Sequence, residues 1–381
     1  MGLALLATPV VAAPLGRLRD PFVLVLVLPP LAAALDALGW SRVAADGLRR
    51  IRSPLARALG AYLVWLATSA LLTLDVAAVA AASVGLAVGG RRSAERDVQL
   101  GAAIVGSNVG SLLFPFSNLT NLVLLVGAGI SFRAYVEAAF WPQLATALGA
   151  GAVLLWRSRR RLAAEVPIPD AAAAGSVDAA DPGSGALSRT AWLAGGIVFV
   201  GAVVAVLAGF RGGDLAAVFA LTAALVSALA AGSGESTPRA LGHSIPVAGV
   251  AVILGAALLG GPMATLAAHL PVPARAAPGL PALVGVALVG GLLAALANNL
   301  PAAAFGAAWL VGARPDLVVA YLVGTNVLAL LTPHGSLATL LCRAVAARGG
   351  HDLPHGPYLR AAWRFALVGG AAALAALVLL G

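Results

Sequence analysis

Apolar stretches long enough to cross a lipid bilayer follow one another along almost the whole chain, and this constrains the fold more than any other feature. A membrane-spanning helix needs about 20 apolar residues, because the hydrocarbon core of a bilayer is about 30 Å thick. The chain is 61% hydrophobic and only 10% charged, whereas soluble domains have about 25% charged residues. The sequence therefore predicts an all-α polytopic membrane protein.

The predicted spans differ in length and in how continuous they are. Apolar spans are predicted at about residues 22–39, 98–129, 137–156, 190–209, 214–231, 245–268, 316–348 and 361–380. Residues 1–16 are also apolar, but no basic segment precedes them, which favours a short or truncated membrane helix over a signal peptide.

Two further apolar stretches, 58–89 and 281–312, are each interrupted midway by polar residues. Thr73 and Asp75 interrupt the first stretch, and the sequence Asn298-Asn299-Leu300-Pro301 interrupts the second. Irregular backbone is tolerated at membrane depth only where it is buried in protein or lines a cavity. We therefore predict two re-entrant helical hairpins, each of which enters and leaves the membrane by the same face.

The long polar segment 157–189 divides the chain into two membrane halves. It is rich in Pro, Gly, Ser and acidic residues and cannot bury enough apolar surface to fold alone. We predict a linker between a first membrane repeat, residues 1–156 and N-terminally short, and a second repeat, residues 190–381. The cluster Arg157, Arg159, Arg160 and Arg161 places the linker in the cytoplasm by the positive-inside rule. The expected location is the plasma membrane of a bacterium, and the net charge of +9 indicates orientation rather than nucleic-acid binding.

The two halves share a short sequence pattern. Shifting the chain by 218 positions lays residues 102–123 over 320–341, with ten of 22 positions identical. The aliphatic identities carry little weight, but Gly106 matches Gly324, Asn108 matches Asn326, and Pro115 matches Pro333. Each half thus contains a hairpin and then a helix broken near a proline. Counting spans from the linker predicts that the two repeats have inverted topology, as in many secondary transporters.

The helix breaks at Pro115 and Pro333 are predicted to form the substrate site together with the hairpin tips. Proline removes a backbone donor, and the polar residues that follow it are good N-caps for a restarted half-helix. Such a helix points free N–H groups at a ligand; the alternative is that these residues only tighten helix packing. The substrate-binding candidates are Asn108, Ser117, Asn118, Thr120, Asn121, Asn298, Asn299, Asn326, His334, Gly335, Ser336 and Thr339.

Asp75 is the strongest single functional candidate. Carboxylates inside a membrane are costly and rare, and they usually mark functional sites. We expect Asp75 to take the coupling proton or cation, and the alternative is that it caps the second hairpin helix. His334 follows Pro333 and is a candidate substrate donor or a structural hydrogen-bonding residue. The single cysteine, Cys342, excludes a cysteine-based metal site, and we expect no metal, no cofactor and no catalytic residues.

These motifs resemble the arsenite permease family within the wider ion transporter superfamily, which also holds sodium/proton antiporters and divalent anion/sodium symporters. The resemblance runs from about Phe22 to the C-terminus. It is carried by Leu296-Ala-Asn-Asn-Leu-Pro301, by Leu331-Thr-Pro-His-Gly-Ser-Leu-Ala-Thr-Leu-Leu341 and by Ser117-Asn-Leu-Thr-Asn121. Leu74 and His334 depart from the family pattern. The resemblance implies two inverted repeats, and export of arsenite or antimonite driven by protons, with a soluble ATPase as a partner in some members.

The sequence accordingly predicts a secondary transporter that moves a small oxyacid or anion by alternating access, and not an enzyme. A sodium-coupled carboxylate carrier and a sodium/proton antiporter stay open as alternatives, as do a membrane-embedded enzyme and a non-transporting scaffold. Expected partners are the bilayer, the small oxyacid or anion and a coupling proton or sodium ion, but no nucleic acid. A homodimer and a soluble ATPase partner are further open alternatives.

Overall fold

The computed structural model describes residues 19–89, 93–164, 189–211, 214–232, 265–270 and 279–380. Within these ranges every regular element is a helix, and no strand occurs. Six of the described helices are long and apolar enough to cross a membrane. The prediction of an all-α polytopic membrane protein is confirmed.

The described residues of the first half form seven α-helices. They are α1 (Arg19–Ala37), α2 (Trp40–Arg49), α3 (Pro54–Leu71), α4 (Leu74–Gly89), α5 (Ser93–Gly110), α6 (Leu119–Ala128) and α7 (Phe132–Ala163). A 3-10 turn, Pro115–Ser117, lies between α5 and α6. The sequence did not predict the short helix α2, and α7 runs beyond its predicted end at residue 156, through Arg157 to Arg161, into the predicted linker.

In the second half, the described residues likewise form seven α-helices. They are α8 (Arg189–Phe210), α9 (Leu215–Gly232), α10 (Leu280–Ala297), α11 (Asn299–Trp309), α12 (Pro315–Leu322), α13 (Leu337–Arg348) and α14 (His355–Leu380). Helix α12 continues directly into a π-helix, Val323–Val327, and a 3-10 turn, Leu328–Leu331. The N-terminal segment 1–16, most of the predicted linker and most of the predicted span 245–268 lie outside the described residues.

Both predicted hairpins are helix pairs that reverse at a polar residue. In α3–α4 the reversal falls at Leu72 and Thr73, and the Thr73 hydroxyl accepts a hydrogen bond from Val76 N at 3.4 Å. In α10–α11 it falls at Asn298, whose Oδ1 accepts from Leu300 N at 3.3 Å. Each polar residue thus satisfies a free N–H group at the start of the second hairpin helix.

Small residues that the repeat shares let each broken helix approach its hairpin. A Cβ atom added to Gly106 of α5 would crowd the carbonyl oxygen of Tyr62 in α3, and one added to Gly324 would overlap that of Ala287 in α10. The shared glycines therefore occupy matching helix contacts, α5 with α3 and the π-helix after α12 with α10.

The second arm of each hairpin packs against the restarted helix of the other half. Helix α4 packs against α13, and helix α11 packs against α6. Gly127 of α6 allows this second contact, because a Cβ atom there would overlap Ala307 of α11. The two halves are interlocked through these helices, while their inverted orientation stays a prediction.

Candidate functional site

A buried network of amide and hydroxyl side chains joins the two broken helices. Asn326, in the π-helix, accepts hydrogen bonds at Oδ1 from Asn118 Nδ2 at 3.2 Å and from Thr120 Oγ1 at 3.1 Å. It donates from Nδ2 to Asn121 Oδ1 at 2.8 Å. Each of these residues is at most 3% exposed, so both polar atoms of the Asn326 amide are satisfied inside the protein. We call this the closed network.

Side chains within the first break stabilise its turn. Asn118 caps α6 by accepting a hydrogen bond from Thr120 N at 3.1 Å. The Ser117 hydroxyl lies 2.6 Å from both the Ser111 and the Phe114 carbonyl oxygens, and Asn121 Nδ2 donates to Ser111 O at 2.6 Å. These bonds satisfy carbonyl groups that lose their helical partners where the chain turns.

The second break is tied to the tip of the second hairpin. Asn298 Nδ2 donates to the His334 carbonyl oxygen at 2.7 Å, and Asn299 N donates to the Gly335 carbonyl oxygen at 2.9 Å. Thr332 Oγ1 donates to Ala295 O at 3.0 Å. The second hairpin and the second break are therefore joined by hydrogen bonds.

Asn298 has an unusual backbone conformation, with φ at 106° and ψ at 155°. It is the one non-glycine residue with positive φ in the described part of the chain. This region is almost restricted to glycine, and a side chain there costs on the order of 1–3 kcal/mol. The hydrogen bonds of Asn298 hold the strained turn that orients Asn299 and the start of α11.

Besides Thr339 Oγ1, three buried oxygen atoms of the predicted site residues have no hydrogen-bond partner. They are Asn108 Oδ1, Asn299 Oδ1 and Ser336 Oγ, and each of the three residues is at most 2% exposed. Their helices are in contact, because α13 packs against α5 and the Asn299 amide bonds to Gly335. An unpaired buried polar group costs about 1–3 kcal/mol, so these oxygens are groups that a ligand would satisfy. We call them the open oxygens.

The repeat relates the closed network to the open oxygens. A shift of 218 positions takes Asn108 to Asn326, Asn118 to Ser336 and Asn121 to Thr339. Asn326 is bonded to its partners, whereas Asn108 donates only to Ile104 of its own helix, at 2.8 Å. The polar atoms of the closed network are therefore hydrogen-bonded to one another, whereas the matching residues of the other set leave oxygen atoms without a partner.

Asp75 lies in the first turn of α4, half-buried, at the tip of the first hairpin. Its carboxylate forms no hydrogen bond or ion pair with any described residue, and Thr73 rather than Asp75 caps the helix. Helix α13 faces it, since Cys342 Sγ donates to Ala78 O at 3.2 Å and lies within electrostatic range of Asp75. The positive end of the α4 dipole favours negative charge at this position.

The structure brings most of the predicted site residues together in these two sets. The His334 side chain is exposed and only its carbonyl oxygen takes part, while Thr339 is buried beside the Tyr358 hydroxyl. Pro115 begins the 3-10 turn of the first break, and Pro333 lies in the second.

Sequence reasoning missed two participants in the closed network. Ser111 supplies its carbonyl oxygen to the first break, and Thr325 Oγ1 donates to Asn326 Oδ1 at 3.3 Å. The signal for Thr325 was present in the repeat, where Ser107-Asn108 matches Thr325-Asn326. Ser111 had no such signal, because Ala329 stands at the matching position of the second half.

The described residues contain no group of three or more His, Cys, Asp or Glu side chains placed to hold a metal ion. The site offers amide and hydroxyl oxygens, and helix α4, which carries the Asp75 carboxylate, packs against α13. Oxygen ligands of this kind suit O–H donors and hard cations such as sodium.

Two solved structures share this architecture across nearly the full chain. The YdaH transporter of Alcanivorax borkumensis is 19% identical, with a TM-score of 0.61 over 99% of this chain and 88% of that one. This chain therefore shares its fold with a transporter. MtrF of Neisseria gonorrhoeae, from a class described as antimetabolite efflux pumps, is 12% identical, with a TM-score of 0.58 over 100% of this chain and 84% of that one.

No protein-family model matches the sequence, and neither does any curated protein. At these identities the likeness to YdaH and MtrF concerns the fold alone. The resemblance to arsenite permeases therefore stays a prediction.

Proposed function

We propose that this protein is a secondary transporter that moves a small oxyacid or anion by alternating access, with arsenite and antimonite export as the first candidate. One observation carries the proposal. In a fold shared with two transporters, Asn299 Oδ1 and Ser336 Oγ lie buried and unsatisfied where a helix break meets a hairpin tip, and Asn108 Oδ1 is unsatisfied in the neighbouring helix α5. Broken helices at matching positions in two halves are the usual position of a transporter's substrate site.

The chemistry of the open oxygens favours a ligand that donates hydrogen bonds. Asn108 Oδ1 and Asn299 Oδ1 can only accept, and the Ser336 hydroxyl can accept or donate. Arsenous acid is neutral near pH 7 and presents hydroxyl groups, so it can donate to acceptors of this kind without bringing a charge into the membrane. Since Cys342 is the single cysteine, arsenite would bind through oxygen rather than through several thiolates.

Asp75 supplies the coupling step in this proposal. A carboxylate that has no cationic partner among the described residues takes up a proton or sodium ion from one side and releases it to the other. One charge moved across 100 mV is worth about 2.3 kcal/mol, which supports a roughly 50-fold substrate gradient. Movement of α4 relative to α13 would couple the occupancy of Asp75 to access to the second break.

The test is flux into proteoliposomes under an imposed proton or sodium gradient. We expect proton-driven arsenite accumulation, and we expect Asp75→Asn to reduce it at least tenfold. Glu137→Gln is the matched control, because Glu137 is an exposed acid in α7 that pairs with Arg133 at 2.8 Å. Full arsenite accumulation by folded Asp75→Asn protein would contradict the coupling role of Asp75.

A sodium-coupled carboxylate carrier or a sodium/proton antiporter is the second candidate. It is favoured by the same acceptor oxygens, which also suit a sodium ion. Sodium-dependent succinate flux, or sodium-driven proton movement without arsenite flux, would replace the arsenite proposal. If the substrate is toxic, we expect the protein to export it. This agrees with the efflux described for the class that MtrF represents.

A further inference from the structure

A cavity lies where α7 ends and α14 begins, and it extends to Leu330, shortly before the second break. Its volume is about 660 Å³, and it is bordered by the start of α5, the end of α7, the residues before α14 and the first turns of α14. None of the residues proposed for transport lines it. It opens on the face that the arginine distribution assigns to the cytoplasm.

Guanidinium groups dominate the polar lining of this cavity. Arg157, Arg161, Arg360 and Arg364 line it, against the carboxylates of Asp97 and Asp352. Asp97 is already engaged on both oxygens, because it accepts from Arg161 Nη2 at 2.7 Å and lies 2.9 Å from His351 Nε2. Asp352 is exposed and forms no ion pair with any described residue. The acidic groups therefore leave part of the positive charge uncompensated.

Arg157 and Arg364 carry that uncompensated charge. Both are half-buried, and neither reaches a carboxylate of the described residues. Arg364 Nη1 donates to the Arg360 carbonyl oxygen at 2.7 Å, and its guanidinium lies within electrostatic range of that of Arg157. Two like charges that are partly removed from water repel each other and lose hydration, which an anion between them would offset.

Aromatic rings fix the direction of both side chains. The Arg157 Cζ lies 5.9 Å from the ring centre of Phe365, and the Arg364 Cζ lies 4.6 Å from that of Trp363 and 5.5 Å from that of Trp156. Stacking of this kind holds a guanidinium in place while its N–H groups stay available. Trp156 and Trp363 are themselves about two-fifths exposed, at 43% and 45%, as tryptophans at the level of lipid headgroups are.

We propose that Arg157 and Arg364 bind a phosphate-type oxyanion in this cavity. Two forked donors suit the paired oxygens of a phosphate, and the nearly buried Ser158, which also lines the cavity, adds a hydroxyl. The volume exceeds that of a bare phosphate ion and lies in the range of small-molecule sites. The oxyanion is therefore part of a larger molecule, either an anionic phospholipid headgroup, which basic pockets between membrane helices bind, or a soluble phosphate ester.

The test measures binding by the full-length protein in detergent and in nanodiscs. Phosphatidylglycerol, with phosphatidylcholine as the uncharged comparison, probes the lipid source, and sn-glycerol 3-phosphate probes the soluble source. Bound lipid is counted by native mass spectrometry, and affinity is measured by thermal shift titration. We expect Arg157→Gln and Arg364→Gln to weaken binding of the effective probe at least tenfold, and Arg157→Lys, which keeps the charge but loses the fork, to weaken it less.

Arg159→Gln is the matched control, because Arg159 is exposed at the same end of α7 and does not line the cavity. An equal effect of Arg159→Gln would show general attraction to a basic surface and overturn the proposal, as would failure of the native protein to bind either probe. Binding of phosphatidylglycerol alone identifies the headgroup, and binding of glycerol 3-phosphate alone identifies a soluble ligand. If Arg157→Gln does not fold, Arg364→Gln and Arg157→Lys decide the result.

Discussion

Asn326 Nδ2 donates a hydrogen bond of 2.8 Å to Asn121 Oδ1, although the two residues stand 205 positions apart. One belongs to the broken helix of the second half and the other to the restarted helix of the first. Asn118 and Thr120 complete the shell around the Asn326 amide. The first break is therefore closed by a residue from the opposite half, and its stability depends on both halves being in place.

Replacing Asn326 with leucine should destabilise the folded protein. The change leaves the buried polar groups of Asn118, Thr120 and Asn121 without their partner, at about 1–3 kcal/mol for a group left unsatisfied. Thermal unfolding of the purified protein in detergent measures the loss. An unchanged unfolding midpoint would mean that water or a rearranged side chain replaces Asn326.

Asn108→Leu is the matched comparison and should behave differently. Asn108 Oδ1 has no partner, and its Nδ2 bonds only within its own helix, so its loss should cost less stability than the loss of Asn326. Because Asn108 supplies an open oxygen, the variant should lose at least tenfold in arsenite flux. A stable Asn108→Leu protein with native flux would remove Asn108 from the site.

Gly324→Ala should be far more damaging than Gly285→Ala. A Cβ at Gly324 overlaps the Ala287 carbonyl oxygen of α10, whereas one at Gly285, in α10 itself, meets nothing within 4 Å. Overpacking of this kind costs about 1–3 kcal/mol, while alanine at an open helical site gains up to about 1 kcal/mol. Unfolding midpoints of the two variants should move in opposite directions, and equal midpoints would contradict the close helix contact.

At Asn298, glycine should be better tolerated than alanine. Both substitutions remove the hydrogen bond to the His334 carbonyl oxygen, but only glycine adopts φ of 106° without steric strain. We expect Asn298→Gly to be more stable than Asn298→Ala by about 1–3 kcal/mol. Comparing the unfolding of the two variants in detergent isolates the cost of backbone strain. A more stable Asn298→Ala would show that the turn relaxes when the side chain is lost.

Features with a local cause were predictable from the sequence. Proline lacks a backbone donor and asparagine caps helices, so the first break and the start of α6 at Asn118 follow from neighbouring residues. The helix α2 was missed because its arginines and Asp46 make it look like a polar loop. Helix α7 continues through Arg157 to Arg161 because arginine is a good helix former, while charge alone suggested a boundary.

The difference between Asn326 and Asn108 could not be predicted, because the same Gly-x-Asn pattern surrounds both. It arises from distant partners. Asn326 meets Asn118 and Asn121, whereas the residues that match these in the second half, Ser336 and Thr339, have shorter side chains and form no hydrogen bond with Asn108. Two copies of one motif thus reach different hydrogen-bonding states, because the residues opposite them differ in reach.

The packing of helices from one half against helices of the other has a consequence for biosynthesis. Helices α4 and α6 leave the ribosome long before α13 and α11, the helices they pack against, have been translated. Until then the faces of α4 and α6 that form these contacts, together with Asn118 and Asn121, must be accommodated by lipid, water or the insertion machinery. The first half can enter the membrane early, but its final packing has to wait for the last quarter of the chain.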